Sequence, residues 1–453
     1  MVARTLKRAS YTILAATGVG LVLVALFLLS RTAQNSDDFD RLHNVILAIN
    51  VAGVMVLFVF LVGNLARLYR EYRTHVPGAK LKARMVGMFV GLAVLPLLVV
   101  LLALHVWLGQ GEDLTVYDHP VEAGGGESFA NPDGPSTGHR GVVAAFEALG
   151  EEVPRTSPRG LVRYVRDLME EFPANREFAV SFVPVEADGV RCEWVLPPGV
   201  DPRRRVLYLH GGAFFAGSPN SHRTMTSRFA EVSGAAVLAV DYRLRPEHPR
   251  AAGIEDCQCA YRWLLENGPD GPAPLDTLYL GGDSAGGNLA LVVSAWSRDA
   301  GLRRPDAVVA FSPVTDCSYS APSIRANAET DTLVKPLFGS LLSFPGFLLR
   351  WIVLFMDRMR PANPTLSPVY GDLSGLPPTL VQVSSAEMLF DDARRYVNKA
   401  RASGSPVHLQ SWSGLLHVWQ LFYPEVPEAG AAWKRVAEFL ERSGEPGASP
   451  GPD

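Results

Sequence analysis

The stretch TLYLGGDSAGGNLALVVSAWSR, residues 277–298, admits few local structures. A short apolar run leads into glycines around a serine and then into an unbroken apolar, helix-forming segment, which reads as strand, tight turn, helix. The same alternation recurs. RRVLYLHGG and GAAVLAVDYR are short β-branched runs ended by turn residues, and AAGIEDCQCAYRWLLENG has helical spacing closed by Gly268. DAVVAFSP, PTLVQVSS and VHLQSWSG supply three more strands, with DDARRYVNKARASG a helix between the last two. Such alternation predicts crossover connections, hence an α/β fold with a mostly parallel sheet covered on both faces. No internal repeat is visible.

At 453 residues the chain exceeds one typical domain, and a mean hydropathy of +0.11 is high for a soluble enzyme. The excess lies near the N-terminus. A net charge of −4 gives no electrostatic case for nucleic acid. The four cysteines are too few for a disulfide scaffold, and Cys257 and Cys259 lack the two-residue gap of a zinc knuckle, so they read as buried or idle thiols.

Three uncharged apolar runs, 11–30, 45–66 and 85–109, each reach the roughly 20 residues a helix needs to cross a bilayer core. Pro96 sits in the third, where a kink is tolerated. Arg4, Lys7 and Arg8 precede the first run, and Arg67, Arg70, Arg73, Lys80, Lys82 and Arg84 fill the second connection, while the connection RTAQNSDDFDRLH is short and acidic. Basic residues are retained in the cytoplasm, so both ends of this pattern place the N-terminus inside and everything after Gly109 outside it. Two alternatives exist. The first run could be a cleaved signal peptide, although Arg31 stands where a small residue is wanted; the third could be re-entrant, although its length argues otherwise.

Residues 110–140 are rich in Gly, Pro, Ser and acid, with few large apolar residues, and read as a flexible linker. The expected organisation is a membrane region over 1–109, that linker, a folded domain over 141–442 and a disordered tail over 443–453.

Gly282, Ser284 and Gly286 form G-x-S-x-G between a strand end and a helix start. This is the context of a nucleophile elbow, in which glycines permit a strained turn that projects the serine oxygen from the sheet top. Serine is a poor nucleophile without a base oriented by an acid, and in this fold class the chain order is serine, acid, histidine. GLLHVWQLF places His417 just after a strand, where a loop can reach over the sheet; His408, inside that strand, is the weaker base. SSAEMLFDD offers Glu387 at a strand's C-terminal end, where catalytic groups gather in open sheets, with Asp391 and Asp392 as alternatives at the following helix start. For the oxyanion, YLHGGAFFAGS offers the backbone N–H groups of Gly211 and Gly212, and Ala285 follows the serine. No metal or organic cofactor is expected.

HGGAF, DYRLRPEHP, GGDSAGGNLA, SPVYGDLSGLPPTLVQVSSAEMLFDD and HVWQLF resemble, in order and spacing, the hormone-sensitive-lipase family of α/β-hydrolases, the fold-3 esterases, over residues 155–442. The resemblance implies an α/β-hydrolase fold with a helical cap and a serine carboxylesterase with Ser284 as nucleophile, Glu387 as acid and His417 as base. Gly211, Gly212 and Ala285 match its oxyanion-hole positions. Ala213 stands where the family has a third glycine, and Glu387 where many members have Asp. In DYRLRPEHP, the residues Asp241, Tyr242, Arg245, Glu247 and His248 would brace the loop under the site. The family's cap maps to about 155–185 and 320–362. Within it the unusually apolar 332–359 is broken by Pro336, Pro345 and Arg350, so it is not a fourth span; it would suit an acyl chain or rest on a membrane, with ordinary cap packing the plainer reading.

The N-terminal stretch LARLYREYRTHVPGAKLKARMVGMFVGLAVLPLLVV is similar to the membrane region of NtrY-type nitrogen-regulation sensor histidine kinases. No phosphoacceptor-histidine helix or ATP-lid pattern follows it. The sequence therefore predicts a multi-pass protein of the bacterial inner membrane with an esterase outside the cytoplasm, acting on small-molecule or lipid esters of short to medium chain. Its rival is a hydrolase-fold ligand sensor, against which His417 stands intact.

Overall fold

The computed structural model describes residues 106–443 except 110, 123, 153–156, 175 and 343, together with parts of 63–88 and residue 102. The chain divides into two compact units, Met1–Leu104 and His105–Asp453. In the first, Glu71 pairs with Arg67 at 3.2 Å and Lys82 at 3.0 Å. The expected membrane spans fall largely outside the described residues, among which no helix is long and apolar enough to cross a membrane.

The second unit is built on nine strands: β1 (Gly126–Phe129), β2 (Ser181–Ala187), β3 (Val190–Leu196), β4 (Asp201–Leu209), β5 (Ala235–Val240), β6 (Thr277–Asp283), β7 (Ala307–Phe311), β8 (Thr379–Ser384) and β9 (Val407–Trp412). Their spatial order is β1-β9-β8-β7-β6-β4-β5-β3-β2. Every pairing from β1 to β5 is parallel, and β3 turns the sheet antiparallel on both of its sides. The central strands AAVLAV, AVVAF and TLVQVS are buried at every position, as a sheet covered on both faces requires.

The helices are α1 (Thr137–Glu152), α2 (Pro158–Glu170), α3 (Arg223–Ser233), α4 (Arg250–Glu266), α5 (Ala285–Asp299), α6 (Ser323–Ala326), α7 (Lys335–Leu342), α8 (Gly346–Asp357), α9 (Phe390–Ala402) and α10 (Pro427–Ser443). The two large core clusters lie one on each sheet face. Val206 and Tyr208 of β4 join Phe229 of α3 and Trp433 of α10, while Leu207 and Leu209 join Tyr261 of α4, Leu289 of α5 and Tyr396 of α9. The alternation follows from the two-residue period of a strand.

The segment 110–140 is not the flexible linker that its composition implies. Its β1 extends the sheet by pairing with β9, Phe129 stacks on Trp412 at 4.4 Å, and Leu114 is buried. Polar anchors substitute for the missing apolar ones. Buried Arg395 of α9 donates to both carboxylate oxygens of Asp118 at 2.6 and 2.7 Å, Asn398 donates to the carbonyls of Tyr117 and His119, and Lys399 pairs with Glu112. The folded unit thus starts before residue 141. The N-terminal part of the cap also differs from the expected 155–185: it includes α1 and ends before Ser181, where β2 enters the sheet.

Candidate active site

Ser284 occupies the turn between β6 and α5 with φ 52° and ψ −115°, a backbone conformation that L-residues with a side chain rarely adopt. The surroundings force it. A Cβ on Gly286 would lie 2.0 Å from the Leu209 carbonyl oxygen, and one on Gly282 would lie 2.3 Å from that of Gly286. Both glycines are therefore demanded by strand-to-helix packing as close as backbone contact allows. The Ser284 N–H donates to the Phe311 carbonyl at 2.7 Å, fixing the turn to β7.

Glu387, fully buried at the end of β8, accepts from His417 Nδ1 at 2.6 Å through Oε2 and from the Ser384 N–H and the Ser312 hydroxyl at 2.7 and 2.8 Å through Oε1. Burial raises the Glu387 pKa, only partly offset by His417. For His417, burial disfavours the imidazolium but the adjacent Glu387 carboxylate outweighs it, so the net shift is upward. With Nδ1–H committed to Glu387, Nε2 is left as the base nitrogen. Ser284 and His417 line one cavity of about 150 Å³. No hydrogen bond joins their side chains among the described residues, and such bonds commonly tighten only with substrate.

The alternatives are placed elsewhere. Asp391 accepts from the Ser323 N–H and pairs with Arg394; Asp392 accepts from the Thr315 and Asp316 N–H groups. His408 sits within β9 and does not line the cavity.

Gly211 is a correction. Its N–H donates to Asp283 Oδ1 and His222 Nε2, both at 3.2 Å, so it faces a buried polar cluster rather than the cavity. The N–H groups of Gly212, Ala213 and Ala285 have no partner among the described residues. Gly212 itself takes φ 112°, with the Ala216 carbonyl oxygen 2.1 Å from where a Cβ would stand. Ala213, expected to narrow the loop's choices, adopts the left-handed φ of 53°, and Phe214 follows at 64°. Asp283, adjacent to Ser284, accepts from Tyr208 Oη at 2.7 Å and lies 3.4 Å from His222 Nε2. Burial raises its pKa, but His222 and Tyr208 prevail and hold the carboxyl below its ordinary value. His210, stacked on Tyr242 at 4.2 Å, is pushed down to about 3 by burial, with His222 adding to the shift.

Several positioning groups have no signature in the sequence. Ser312 bonds Glu387 and also accepts from the Val418 N–H at 3.3 Å; Ser384 Oγ and His139 Nε2 accept from the Leu415 and Leu416 N–H groups, both at 2.9 Å. Together they hold the histidine loop, in which Val418 has φ 51°. Each is a common residue that acquires its role only from contacts distant in sequence.

The roof of the cavity is apolar. Phe146 and Leu149 of α1, Leu161, Val165 and Leu168 of α2, and Leu337 and Phe338 of α7 line it. Two polar ties fasten it to the DYRLRPEHP loop. Arg166 of α2 grips Glu247 at 2.7 and 2.9 Å and donates to the Phe215 carbonyl at 2.7 Å. Asp357 of α8 pairs with Arg245 at 2.8 Å and lies 3.9 Å from Arg250, whose guanidinium stacks 3.7 Å from the Phe214 ring centroid. Tyr242 Oη donates to the His210 carbonyl at 2.7 Å, whereas Asp241 pairs with Arg191 at the surface and His248 is exposed. All four cysteines are free, and the described residues contain no cluster of three or more metal-ligating side chains.

A sequence model of the alpha/beta hydrolase fold matches residues 206–421. The acetyl-hydrolase of Streptomyces hygroscopicus is 40% identical over 248 residues, covering 55% of this chain and 78% of its own. An esterase of Acinetobacter venetianus is 34% identical over 283 residues, covering 62% and 88%. The crystal structure of an esterase from the bacterial hormone-sensitive lipase family superposes with a TM-score of 0.59 at 35% identity, over 68% of this chain and 99% of that one. The chain therefore belongs to the hormone-sensitive-lipase family of α/β-hydrolases and is a carboxylic ester hydrolase.

Proposed function

We propose that Ser284, His417 and Glu387 act as a catalytic triad on carboxylic esters of short to medium acyl chain. The observation that carries this reading is the 2.6 Å bond from His417 Nδ1 to buried Glu387 beside a serine held at the cavity floor by a strained turn. Ser284 Oγ attacks the ester carbonyl while His417 Nε2 takes its proton, and Glu387 holds the imidazole tautomer and stabilises the imidazolium. The developing oxyanion is met by the N–H groups of Gly212, Ala213 and Ala285. His417 then protonates the leaving alcohol, and water, deprotonated by His417, releases the acyl group from Ser284. Short acyl groups fit the roof: about 150 Å³ is the size of an apolar cavity that accepts benzene, on the order of six carbons.

The domain is anchored to the bacterial inner membrane by the apolar runs 11–30, 45–66 and 85–109, with the hydrolase outside the cytoplasm; the support is the run lengths, the distribution of basic residues and the likeness of the first 110 residues to an NtrY-type membrane region. The test is hydrolysis of a p-nitrophenyl ester series, acetyl to palmitoyl, by the full chain and by Ser284→Ala. Ser284→Ala should abolish turnover of every ester that the wild type cleaves. A folded wild type with no turnover would favour the non-catalytic sensor reading.

A further inference from the structure

Helix α8 is apolar on two opposite sides, and the fold uses one. Leu349, Val353 and Asp357, spaced by four, point inward and are 3–5% exposed. A second stripe, Leu348, Trp351, Ile352 and Phe355, runs along the other side: Leu348 is 38% and Phe355 75% exposed, Trp351 stacks on Phe355 with ring centroids 6.1 Å apart, and Met356 beside them is 54% exposed. A helix that is apolar all round belongs in a core or in lipid, and half of this one meets neither among the described residues. The chain itself indicates what covers the rest. The last turn of the apolar run 85–109 lies against the same part of the roof: Leu108 is buried, a Cβ on Gly109 would be 3.3 Å from Arg350 of α8, and the Trp107 ring, itself 42% exposed, lies 5.8 Å from the Arg360 guanidinium. Tryptophan at the end of an apolar run is a usual mark of a membrane boundary.

We propose that the outer stripe of α8 rests in the acyl boundary of the bilayer that this run enters, so that the cavity takes its esters from the membrane. The proposal builds on the esterase and anchoring readings. It follows because α8 comes three residues after α7, whose Leu337 and Phe338 line the cavity, and because Asp357 at its inner end ties to Arg245, whose guanidinium donates to the Ala213 carbonyl beside Phe214. The half-buried Trp351 and the exposed Phe355 would sit at the headgroup–acyl boundary, as in interfacial helices.

The experiment uses the full chain in phosphatidylcholine proteoliposomes and compares wild type with Phe355→Asp/Met356→Asp. Turnover of p-nitrophenyl octanoate dissolved in the bilayer should fall at least tenfold while p-nitrophenyl acetate, added from water, is cleaved at the wild-type rate. Equal loss on both esters, or no loss on either, overturns the proposal. An independent readout leaves the stripe nearly intact: Trp351→Phe should remove part of the tryptophan emission quenched by brominated phosphatidylcholine, and unchanged quenching overturns the proposal. If the double variant instead converts a dimer to a monomer in nanodiscs, a second copy covers the stripe and the bilayer does not. A wild type inactive on the acetate ester sinks the esterase reading, and one extracted from vesicles without detergent sinks the anchoring reading; each is distinct from the failure of the α8 contact.

Discussion

The floor and the roof of the cavity are held by different physics. On the floor the three candidate catalytic residues are held in place by directional contacts: Glu387 accepts three bonds, His417 Nδ1 is bonded, and Ser284 sits where backbone packing leaves no alternative. The roof is a set of aliphatic and aromatic side chains fastened by two arginine–carboxylate ties, Arg166–Glu247 and Asp357–Arg245. Directional bonds fix position to fractions of an ångström, as proton transfer and oxyanion stabilisation demand, whereas apolar contacts fix only volume. The floor therefore sets the reaction and the roof sets what reaches it.

The sharpest test of this division is Glu387→Gln. The amide keeps the shape but not the charge, and we expect kcat to fall by about 10³- to 10⁴-fold, with KM little changed. The pH profile carries the sign. His417 must be neutral to act as base, and Glu387 holds its pKa above the ordinary 6.5, so wild-type activity should be lost as pH falls through a value above 6.5. In the variant that acid limb should move to lower pH; an unmoved limb would mean that another group titrates.

Asp357→Asn probes the tie between roof and floor. Asp357 and Arg250 are 4% and 3% exposed in their side chains, so removing the carboxylate leaves two guanidinium groups poorly compensated. Breaking such a pair costs about 3 kcal/mol or more, read by chemical denaturation, and because Arg250 stacks on Phe214 we expect kcat on a short ester to fall with it. A variant of unchanged stability and kcat would show the roof to be independent of the oxyanion loop.

Leu168→Ala should have the smallest effect and confine it to the roof. It enlarges the cavity without touching a polar group, so kcat/KM for octanoyl over acetyl esters should rise by about 3- to 10-fold, measured on the ester series. A change in the acid limb of the pH profile would contradict the separation.

Legibility followed the same division. G-x-S-x-G announces itself because only glycine tolerates the contacts at 282 and 286, and His417 and Glu387 stand out as candidates because the chain order and the strand ends restrict the choices. Gly211 was misassigned for a physical reason: adjacent glycines look equivalent in sequence, and only the position of Asp283 turns one N–H away from the cavity. The segment 110–140 misleads similarly, since apolar content predicts burial by hydrophobic contact but not anchoring by Arg395 and Asn398.

The sequence by itself determined the alternating strands and helices, the parallel sheet, which residues are candidates for nucleophile, acid and base, and the apolar character of 332–359, because these depend on local periodicity and on backbone constraints carried by single residues. Only the tertiary structure decided that β1 extends the sheet, which N–H groups face the cavity, that Ser312, Ser384 and His139 hold the histidine loop, and which side of α8 stays open. Those features rest on contacts between residues up to 292 positions apart, as in Ser136 with Glu428, and no local pattern records such a meeting.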